Sequence, residues 1–323
     1  MKKHLLSRRQ FNAWFAASSV ALPALSRSVA LHRSAGATSA ADAPSDSTRR
    51  TVRFPDGTTV PALGQGCWHL GQGRHPREVE EEALRTGISL GMTLVDTSGN
   101  YGSGRSEEFI NKAIAGQRDR VYLVSKVEAD EVSGDGIARA CQASLSRLGT
   151  DHLDLYLLHS PVPSRQFSGV VAAFEKLRAA GKIRAWGVSN FDRAQMEDLL
   201  RVPDGRHCAT NQVAYSLNNR RIEHDLLPWC KEHEMPVMAY SPLGGDHNLV
   251  VGDRTLAQIG AAHGCSAAAI ALAWVIRSGS VIAIPESGSP EHVKENAAAL
   301  SVALASQDLQ TLNAAYSGPF GAM

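Results

Sequence analysis

The chain has 323 residues, of which 43% are hydrophobic and 20% are charged, a composition that excludes disordered and fibrous proteins and indicates one large folded core. Lysine and arginine together number 33 against 32 acidic residues, and the net charge of +1 gives no broad positive field for nucleic acid or anionic membranes. A small neutral ligand is therefore the expected partner, and no nucleic acid is expected.

Residues 1–37 are predicted to be an export signal. After a basic start, the pair Arg8-Arg9 is followed two places later by Phe11, and Ala13–Leu25 is a mildly apolar run. This order resembles a twin-arginine (Tat) signal, which implies the Tat export machinery as a partner and the bacterial periplasm as the destination. Residues 38–50 are predicted to be a flexible linker. The alternative is a disordered cytoplasmic tail in which two arginines happen to be adjacent.

The apolar run in this signal is too short for a permanent membrane anchor. It is interrupted by Pro23 and falls short of the roughly 20 residues that cross a bilayer. We therefore expect no permanent transmembrane segment from it.

Residues 51–323 alternate between apolar strands and amphipathic helices. A short β-hairpin is predicted first, from Thr51–Phe54 and Thr58–Val60. The helix at Pro76–Leu90 is predicted to bury a stripe that includes Val79, and a later helix is predicted over Ser133–Leu148. Eight further strands are predicted, at Gly64–Cys67, Met92–Val95, Val121–Ser125, Leu153–Leu158, Ile183–Val188, Thr210–Val213, Val237–Ala239 and Val281–Ile284.

Eight strand-helix units in about 270 residues predict the α/β fold class, as a (β/α)8 TIM barrel with a short N-terminal β-hairpin. A doubly wound sheet is less favoured, because Gly64–His69 does not open a helix with the glycine spacing of a phosphate-binding turn.

The cysteines and histidines give no metal or disulfide pattern. The histidines have no ligand spacing, so no metal is inferred. The cysteines are odd in number and widely spaced, and they are interpreted as packing residues, although one or two bridges stay open in an oxidising compartment; they are Cys67, Cys141, Cys208, Cys230 and Cys265.

Four polar residues lie at or just after predicted strand ends, where a barrel places its chemistry. They are Asp96, Tyr101, Lys126 and His159. Each has an ordinary explanation when taken singly. These explanations are a turn cap for Asp96, half-buried packing for Tyr101, a solvated ammonium for Lys126 and a hydrogen-bonded residue at the barrel rim for His159. Together they direct an acid, a phenol, an ammonium and an imidazole at one opening, which is a coherent set for catalysis.

Several separated motifs resemble the aldo-keto reductase family in order and spacing. They are Leu94–Gly102, Val124–Lys126, Leu157–His159 and Gly187–Phe191, and the similarity runs from about Thr51 to Tyr316. The resemblance implies a catalytic tetrad of the four residues above and hydride transfer between a nicotinamide cofactor and a small carbonyl or alcohol substrate.

The resemblance also implies how the tetrad works. Tyr101 is the expected proton donor, and a free phenol has a pKa near 10. An ammonium about 4 Å away contributes on the order of 4 kcal/mol at an effective dielectric of about 20, so Lys126 is expected to lower the pKa of Tyr101. Asp96 is expected to keep Lys126 charged, and His159 to donate to the carbonyl oxygen and orient it.

The resemblance further implies the cofactor site. Ser189, Asn190 and Gln212 are expected to hold the nicotinamide carboxamide, and Tyr240 to stack on its ring, in a segment that matches the family over Ala239–Gly244. The adenosine end is expected at a strand end and helix N-terminus, which suits phosphate. The complete predicted set is Ser189, Asn190, Gln212, Tyr240, Ser241, Leu243, Glu286, Ser287, His292, Glu295 and Asn296.

One position departs from the family. Glu286 stands where many members carry a lysine that reaches the 2'-phosphate of NADP, and the only nearby basic groups are His292 and Lys294. A carboxylate repels that phosphate and can accept hydrogen bonds from the bare ribose of NAD, unless Glu286 points to solvent. The family favours NADP(H) and the local charge favours NAD(H), so both cofactors stay open.

Trp68 matches a family position that walls the substrate pocket, with core packing as its alternative role. The segment Gly244–Gly252 is short, and the chain ends soon after its last helix, so an open and permissive pocket for aldehydes is expected. Two rival functions remain: a nicotinamide-binding sensor or regulatory subunit on the same barrel, and an unrelated exported barrel that binds a ligand. The oligomeric state is left open.

Overall fold

The computed structural model describes residues 50–245 and 249–317. The predicted export signal and nearly all of the predicted linker lie outside these residues, as do residues 246–248 of the predicted short loop. The described residues belong to one compact unit, Ser45–Met323.

Eight parallel strands form the barrel, preceded by an antiparallel hairpin of β1 (Thr51–Arg53) and β2 (Thr59–Pro61). Each barrel strand pairs with the next along the chain, and single parallel bridges, Leu63 with Ala283 and Gly66 with Glu286, join the first strand to the last. The predicted fold is confirmed. The barrel strands are β3 (Gln65–Gly66), β4 (Leu94–Asp96), β5 (Tyr122–Val127), β6 (Leu153–Leu158), β7 (Ile183–Ser189), β8 (Cys208–Ala214), β9 (Val237–Tyr240) and β10 (Val281–Ala283).

Helices surround this sheet, as apolar strands buried on both faces require. They are α1 (Arg77–Ser89), α2 (Arg105–Ala113), α3 (Gly136–Leu148), α4 (Phe167–Ala179), α5 (Arg193–Arg201), α6 (Leu226–Glu232), α7 (Arg254–His263), α8 (Ala267–Val275), α9 (Pro290–Ala297) and α10 (Ser306–Ala315). Gly149 follows the last residue of α3 in the left-handed conformation (φ 63°), which glycine adopts without strain and which ends the helix.

The predicted inward stripe of α1 is wrong at one position. Val79 is 36% exposed, whereas the neighbouring Glu80 is buried. A glutamate is tolerated there because its Oε2 accepts a hydrogen bond from the backbone N–H of Gly71, 2.8 Å away. The prediction used hydrophobicity alone and placed Val79 in the interior instead of Glu80. It could not include the polar partner that the loop after β3 supplies to Glu80.

The core is one continuous apolar cluster between the strands and the helices. Four of the five cysteines are buried in it and Cys265 is half-buried, and all five are free thiols, as their interpretation as packing residues implies. Within the described ranges no single helix is long and apolar enough to cross a bilayer. Helices α7 and α8 taken together are long and apolar enough, but the chain bends by 92° between them.

Candidate active site

Asp96, Lys126 and Tyr101 form a hydrogen-bonded chain at the C-terminal end of the barrel. The Lys126 ammonium donates to Asp96 Oδ1 at 2.7 Å, to the carbonyl oxygen of Thr97 at 2.7 Å and to Tyr101 Oη at 3.1 Å. An ammonium has three donors, and all three are used here. Because β4 and β5 are neighbours, with Asp96 in β4 and Lys126 in β5, the barrel itself fixes this pair.

The direction of the Tyr101 pKa corrects the sequence prediction. Burial raises this pKa above its usual value of 10.0, and Lys126 lowers it only in part, while Asp96 raises it further. Tyr101 is therefore a neutral phenol at ordinary pH. The error arose because the prediction counted the attraction of Lys126 without the desolvation of the ring.

Lys126 stays charged despite complete burial. Burial alone would lower its pKa, but the Asp96 carboxylate and the Tyr101 hydroxyl outweigh that effect, and the pKa is raised. A group with a raised pKa keeps its charge until the pH exceeds the ordinary lysine range. The cation is therefore available beside Tyr101 throughout the neutral range.

Tyr101 begins a tight turn that runs to Gly104 and leads into α2. Gly102 and Ser103 in this turn both have positive φ, 57° and 58°. A left-handed non-glycine residue such as Ser103 is strained, and such strain concentrates at functional sites. The Tyr101 ring lies 4.7 Å from Lys126 Nζ and meets the His159 ring edge-on at 5.7 Å between centroids.

His159 follows β6 and lies beside Glu128, a residue that the sequence analysis missed. His159 Nδ1 makes a short hydrogen bond with Glu128 Oε1 and a long contact of 3.4 Å with Ser98 Oγ. A signal for Glu128 was present: β5 runs to Val127, two residues beyond its predicted end, so Glu128 is the first polar residue after that strand.

A cavity of about 570 Å³ opens beside this tetrad. Trp68 lines its mouth and is 53% exposed, which contradicts the alternative that it packs in the core. The structure brings most of the predicted site residues to this one cavity: Trp68, Asp96, Tyr101, His159, Ser189, Asn190, Gln212, Tyr240, Ser241, Leu243 and Glu286.

Four of the residues that line the cavity form a set that fits a carboxamide and a flat ring. Asn190 and Gln212 carry amide groups, and Ser189 Oγ donates to the backbone oxygen of Gln212 at 2.8 Å. Gln212 Nε2 donates to Asp96 Oδ2 at 2.8 Å, and Tyr240 Oη donates to Asn190 Oδ1 at 2.9 Å. Asn190 and Ser241 have positive φ, 64° and 47°. A nicotinamide ring against Tyr240 is compatible with these groups.

Glu286 is one of the residues that line the cavity. Its carboxylate accepts from the backbone N–H of His69 at 2.9 Å and contacts His69 Nδ1 at 2.9 Å, so Glu286 does not point to solvent. His69 is a second residue that the sequence analysis did not select, and it lies next to Trp68 in the loop after β3. These contacts hold an acidic group in the lining of the cavity.

Four predicted adenosine-binding residues do not line this cavity. Ser287 precedes α9, and Ser289 Oγ accepts from the backbone N–H of His292 and caps that helix. His292 is exposed, Glu295 is half-buried and Asn296 is buried. The four are Ser287, His292, Glu295 and Asn296, and they extend from the cavity rim along α9. Across residues 50–245 and 249–317, no cluster of three or more histidine, cysteine or acidic side chains is arranged to hold a metal.

Comparison with known proteins identifies relatives over nearly all of the described chain. The model of the aldo/keto reductase family matches residues 62–317. The chain is 48% identical over 276 residues to methylglyoxal reductase YeaE of Escherichia coli (strain K12), covering 84% of this chain and 97% of that protein. It is 30% identical over 271 residues to glyoxal reductase of Bacillus subtilis (strain 168), covering 83% and 93%.

A solved structure gives the same picture. The crystal structure of an aldo/keto reductase from Klebsiella pneumoniae in complex with NADP and acetate is similar with a TM-score of 0.80. It is 47% identical to this chain, and the match covers 84% of this chain and 96% of that protein.

Proposed function

The chain belongs to the aldo/keto reductase family, and we propose that it reduces small aldehydes, 2-oxoaldehydes among them, to alcohols with a reduced nicotinamide dinucleotide. The observation that carries this proposal is the chain of hydrogen bonds from Asp96 through Lys126 to Tyr101, which ends at a cavity large enough for a small carbonyl compound beside the cofactor ring.

In the proposed mechanism, a bound nicotinamide cofactor would supply hydride to the carbonyl carbon. Tyr101 donates a proton to the carbonyl oxygen, and its raised pKa keeps that proton in place until the oxygen becomes basic. Lys126 stabilises the negative charge that develops on the phenol oxygen, and Asp96 holds Lys126 charged and in position. His159 donates to the carbonyl oxygen and orients it.

The residues proposed to hold the cofactor fall in two groups. Ser189, Asn190 and Gln212 would hold the carboxamide, and Tyr240 would stack on the nicotinamide, with Ser241 and Leu243 in the same cavity. Glu286 would then be near the adenosine ribose, where a carboxylate would favour the hydroxyls of NADH and disfavour the 2'-phosphate of NADPH. We therefore propose that Glu286 removes the usual family preference for NADPH, so that NADH serves at a comparable rate.

Two features support a small, weakly selected substrate. Trp68 and Leu249 are both more than half exposed at the cavity, so the described residues leave the pocket open there. Two relatives are named for reduction of methylglyoxal and glyoxal, which are small 2-oxoaldehydes. Broad reduction of small aldehydes follows, and a strong preference for one steroid or sugar would contradict it.

The test is direct. The purified chain is mixed with NADPH or, separately, with NADH, and nicotinamide absorbance is followed with methylglyoxal and with an aromatic aldehyde as acceptors. Oxidation of either cofactor supports the reductase, and the ratio of the two rates measures the effect of Glu286. A folded protein that binds a cofactor but oxidises neither would instead support the sensor or regulatory role.

We also propose that this enzyme is exported by the Tat machinery to the periplasm. Free nicotinamide cofactor is expected mainly in the cytoplasm, so an exported reductase needs another supply. Tat transport carries folded proteins, and we propose that the cofactor travels bound and is recycled by paired reduction and oxidation of substrates. Exported protein that contains no bound cofactor would count against this arrangement.

A further inference from the structure

Glu128 and His159 occupy matching positions at the ends of two neighbouring barrel strands. Val127 is paired with Leu158 in the parallel register of β5 and β6, and Glu128 and His159 are the next residues of the two strands. The backbone N–H of His159 donates to the carbonyl oxygen of Val127 at 2.9 Å. The pairing of the two strands therefore brings Glu128 and His159 side by side, so that their side chains can make contact.

The ring nitrogens of His159 have different surroundings. Nδ1 makes the hydrogen bond with the Glu128 carboxylate, whereas Nε2 has no hydrogen-bond partner among the residues that the structure describes. His159 also lines the cavity. An ionised carboxylate only accepts hydrogen bonds, so an ionised Glu128 requires a proton on Nδ1.

This requirement conflicts with a neutral histidine as carbonyl donor. A neutral imidazole carries one N–H, and if that proton is on Nδ1, then Nε2 is an acceptor and repels a carbonyl oxygen. Donation from Nε2 while Nδ1 donates to Glu128 needs both nitrogens protonated. A carboxylate at hydrogen-bond distance stabilises that cation.

We propose that Glu128 is a positioning residue that holds His159 as an imidazolium, with Nδ1–H donated to Glu128 and Nε2–H left to donate to the substrate carbonyl oxygen. This inference rests on the proposed reductase function and adds a residue to its machinery. An imidazolium is also a stronger donor than a neutral ring, because a charged hydrogen bond is roughly twice as strong as a neutral one.

The charged groups behind Tyr101 do not oppose this arrangement. Tyr101 lies edge-on to His159, and behind it the Lys126 cation is matched by Asp96, so that pair contributes little net charge. The Glu128 carboxylate also contributes to the raised pKa of Tyr101, after burial and Asp96. Tyr101 thus remains a neutral acid over the pH range in which histidine ordinarily changes charge.

The pH dependence of reduction follows with a definite sign. Reduction needs the His159 imidazolium. As rising pH removes its proton, kcat/KM for the aldehyde falls. Because the pKa of Tyr101 is raised above 10.0, loss of the phenol proton cannot cause a fall at lower pH. In Glu128→Gln the imidazolium loses its carboxylate partner, and the fall moves to lower pH.

The first readout needs no cofactor and no turnover. The full chain is labelled with ¹⁵N-histidine, the His159 signals are assigned by their loss in His159→Gln, and the ring nitrogens are followed by NMR from pH 5 to pH 9. In the unsubstituted chain, Nδ1 is expected to be protonated throughout and Nε2 to lose its proton as pH rises. The midpoint is expected at lower pH in Glu128→Gln and unchanged in the charge-matched control Asp130→Asn, an exposed site two residues away.

The second readout is kcat/KM against pH for the same three proteins, which should fall at the midpoints that NMR gives. An Nδ1 without a proton in the unsubstituted chain would overturn the proposal even if Glu128→Gln failed to fold. So would equal midpoints in Glu128→Gln and Asp130→Asn. If the unsubstituted chain reduces no aldehyde, the proposed function fails, whereas NMR still decides the state of His159.

Discussion

Tyr101 is the proposed proton donor, and its substitution is expected to separate chemistry from cofactor binding. Its hydroxyl contacts Lys126, and its ring fills the space beside His159, so Tyr101→Phe deletes one oxygen and keeps the ring contacts. We expect kcat to fall by about 10²- to 10⁴-fold, the usual contribution of a positioned acid. Cofactor affinity, measured by fluorescence titration, should stay within about twofold, since the residues proposed to bind it are unchanged.

The matched control is Tyr122→Phe, which removes a phenol oxygen from β5, away from the residues that line the cavity. Its turnover should equal that of the unsubstituted chain. Unchanged turnover in Tyr101→Phe would remove Tyr101 from the role of proton donor.

Glu286 is the residue that should set the cofactor ratio. It is tied to the loop after β3 by two contacts with His69, so its charge is held near the cavity. In Glu286→Lys we expect the ratio of kcat/KM with NADPH to that with NADH to rise by about 10- to 100-fold. Reversing one charge near a phosphate changes the free energy of their interaction by on the order of 2 kcal/mol at an effective dielectric of about 20.

The control for Glu286→Lys is Glu82→Lys, the same charge change at an exposed position of α1. Steady-state rates with both cofactors should leave its ratio unchanged. Equal ratios in the two variants would mean that Glu286 does not face the ribose.

At the residue scale, the sequence singled out four residues that the structure brings together, but it did not single out the residues around them. The four residues are recognisable because each stands at or near the end of an apolar strand run, and their spacing resembles one family. Glu128 and His69 were not selected, because their roles depend on contacts between segments 31 and 217 positions apart in the chain. The direction of the Tyr101 pKa likewise depends on burial, which spacing does not reveal.

At the element scale, strand β7 shows how a close approach supports the site. Gly187 lies in β7 two residues before Ser189, and a Cβ there would come within 2.6 Å of the carbonyl oxygen of Thr210 in β8. The pairing of β7 with β8 shifts register at this point, between Trp186 and Val188. The glycine therefore lets β8 lie close enough for Gln212 to pair with Ser189.

Gly187→Ala should consequently destabilise the fold and disturb the carboxamide end of the cavity. We expect the free energy of unfolding to fall by about 1–3 kcal/mol, as for other overpacked cores, measured by urea denaturation. Cofactor affinity should also weaken. Gly169→Ala in α4 is the control, because a Cβ there meets nothing within 4 Å, and its stability should be equal or higher.

Equal stability of these two alanine variants would contradict the close approach of β7 and β8.

Element boundaries were otherwise predicted to within a few residues. The bounds of β6 were predicted correctly because all six of its residues are buried. Strand β5 was cut short because Lys126, a charged residue, was interpreted as its end, whereas Asp96 and Tyr101 allow that lysine to be buried within the strand.

At the scale of the whole molecule, the barrel was predictable because its pattern repeats. Parallel strands covered on both faces appear as continuous apolar runs, and eight such runs separated by amphipathic helices leave few architectures. The closure of the barrel was not evident from the pattern, since it depends on single bridges between segments more than 200 residues apart. The cavity is built at that closure, where the loops after β3 and β10 meet at His69 and Glu286.

The predicted export signal is tested on the whole chain by replacing its arginine pair. Arg8→Lys combined with Arg9→Lys keeps the charge but removes the pair that resembles a Tat signal, so we expect the protein to remain in the cytoplasm. The chain offers a matched control in its second adjacent pair, Arg49-Arg50, which lies outside the predicted signal. The same double change there should leave export unaffected. Fractionation of a bacterium with an active Tat system measures both, and cytoplasmic retention of the unsubstituted chain would instead favour the cytoplasmic alternative.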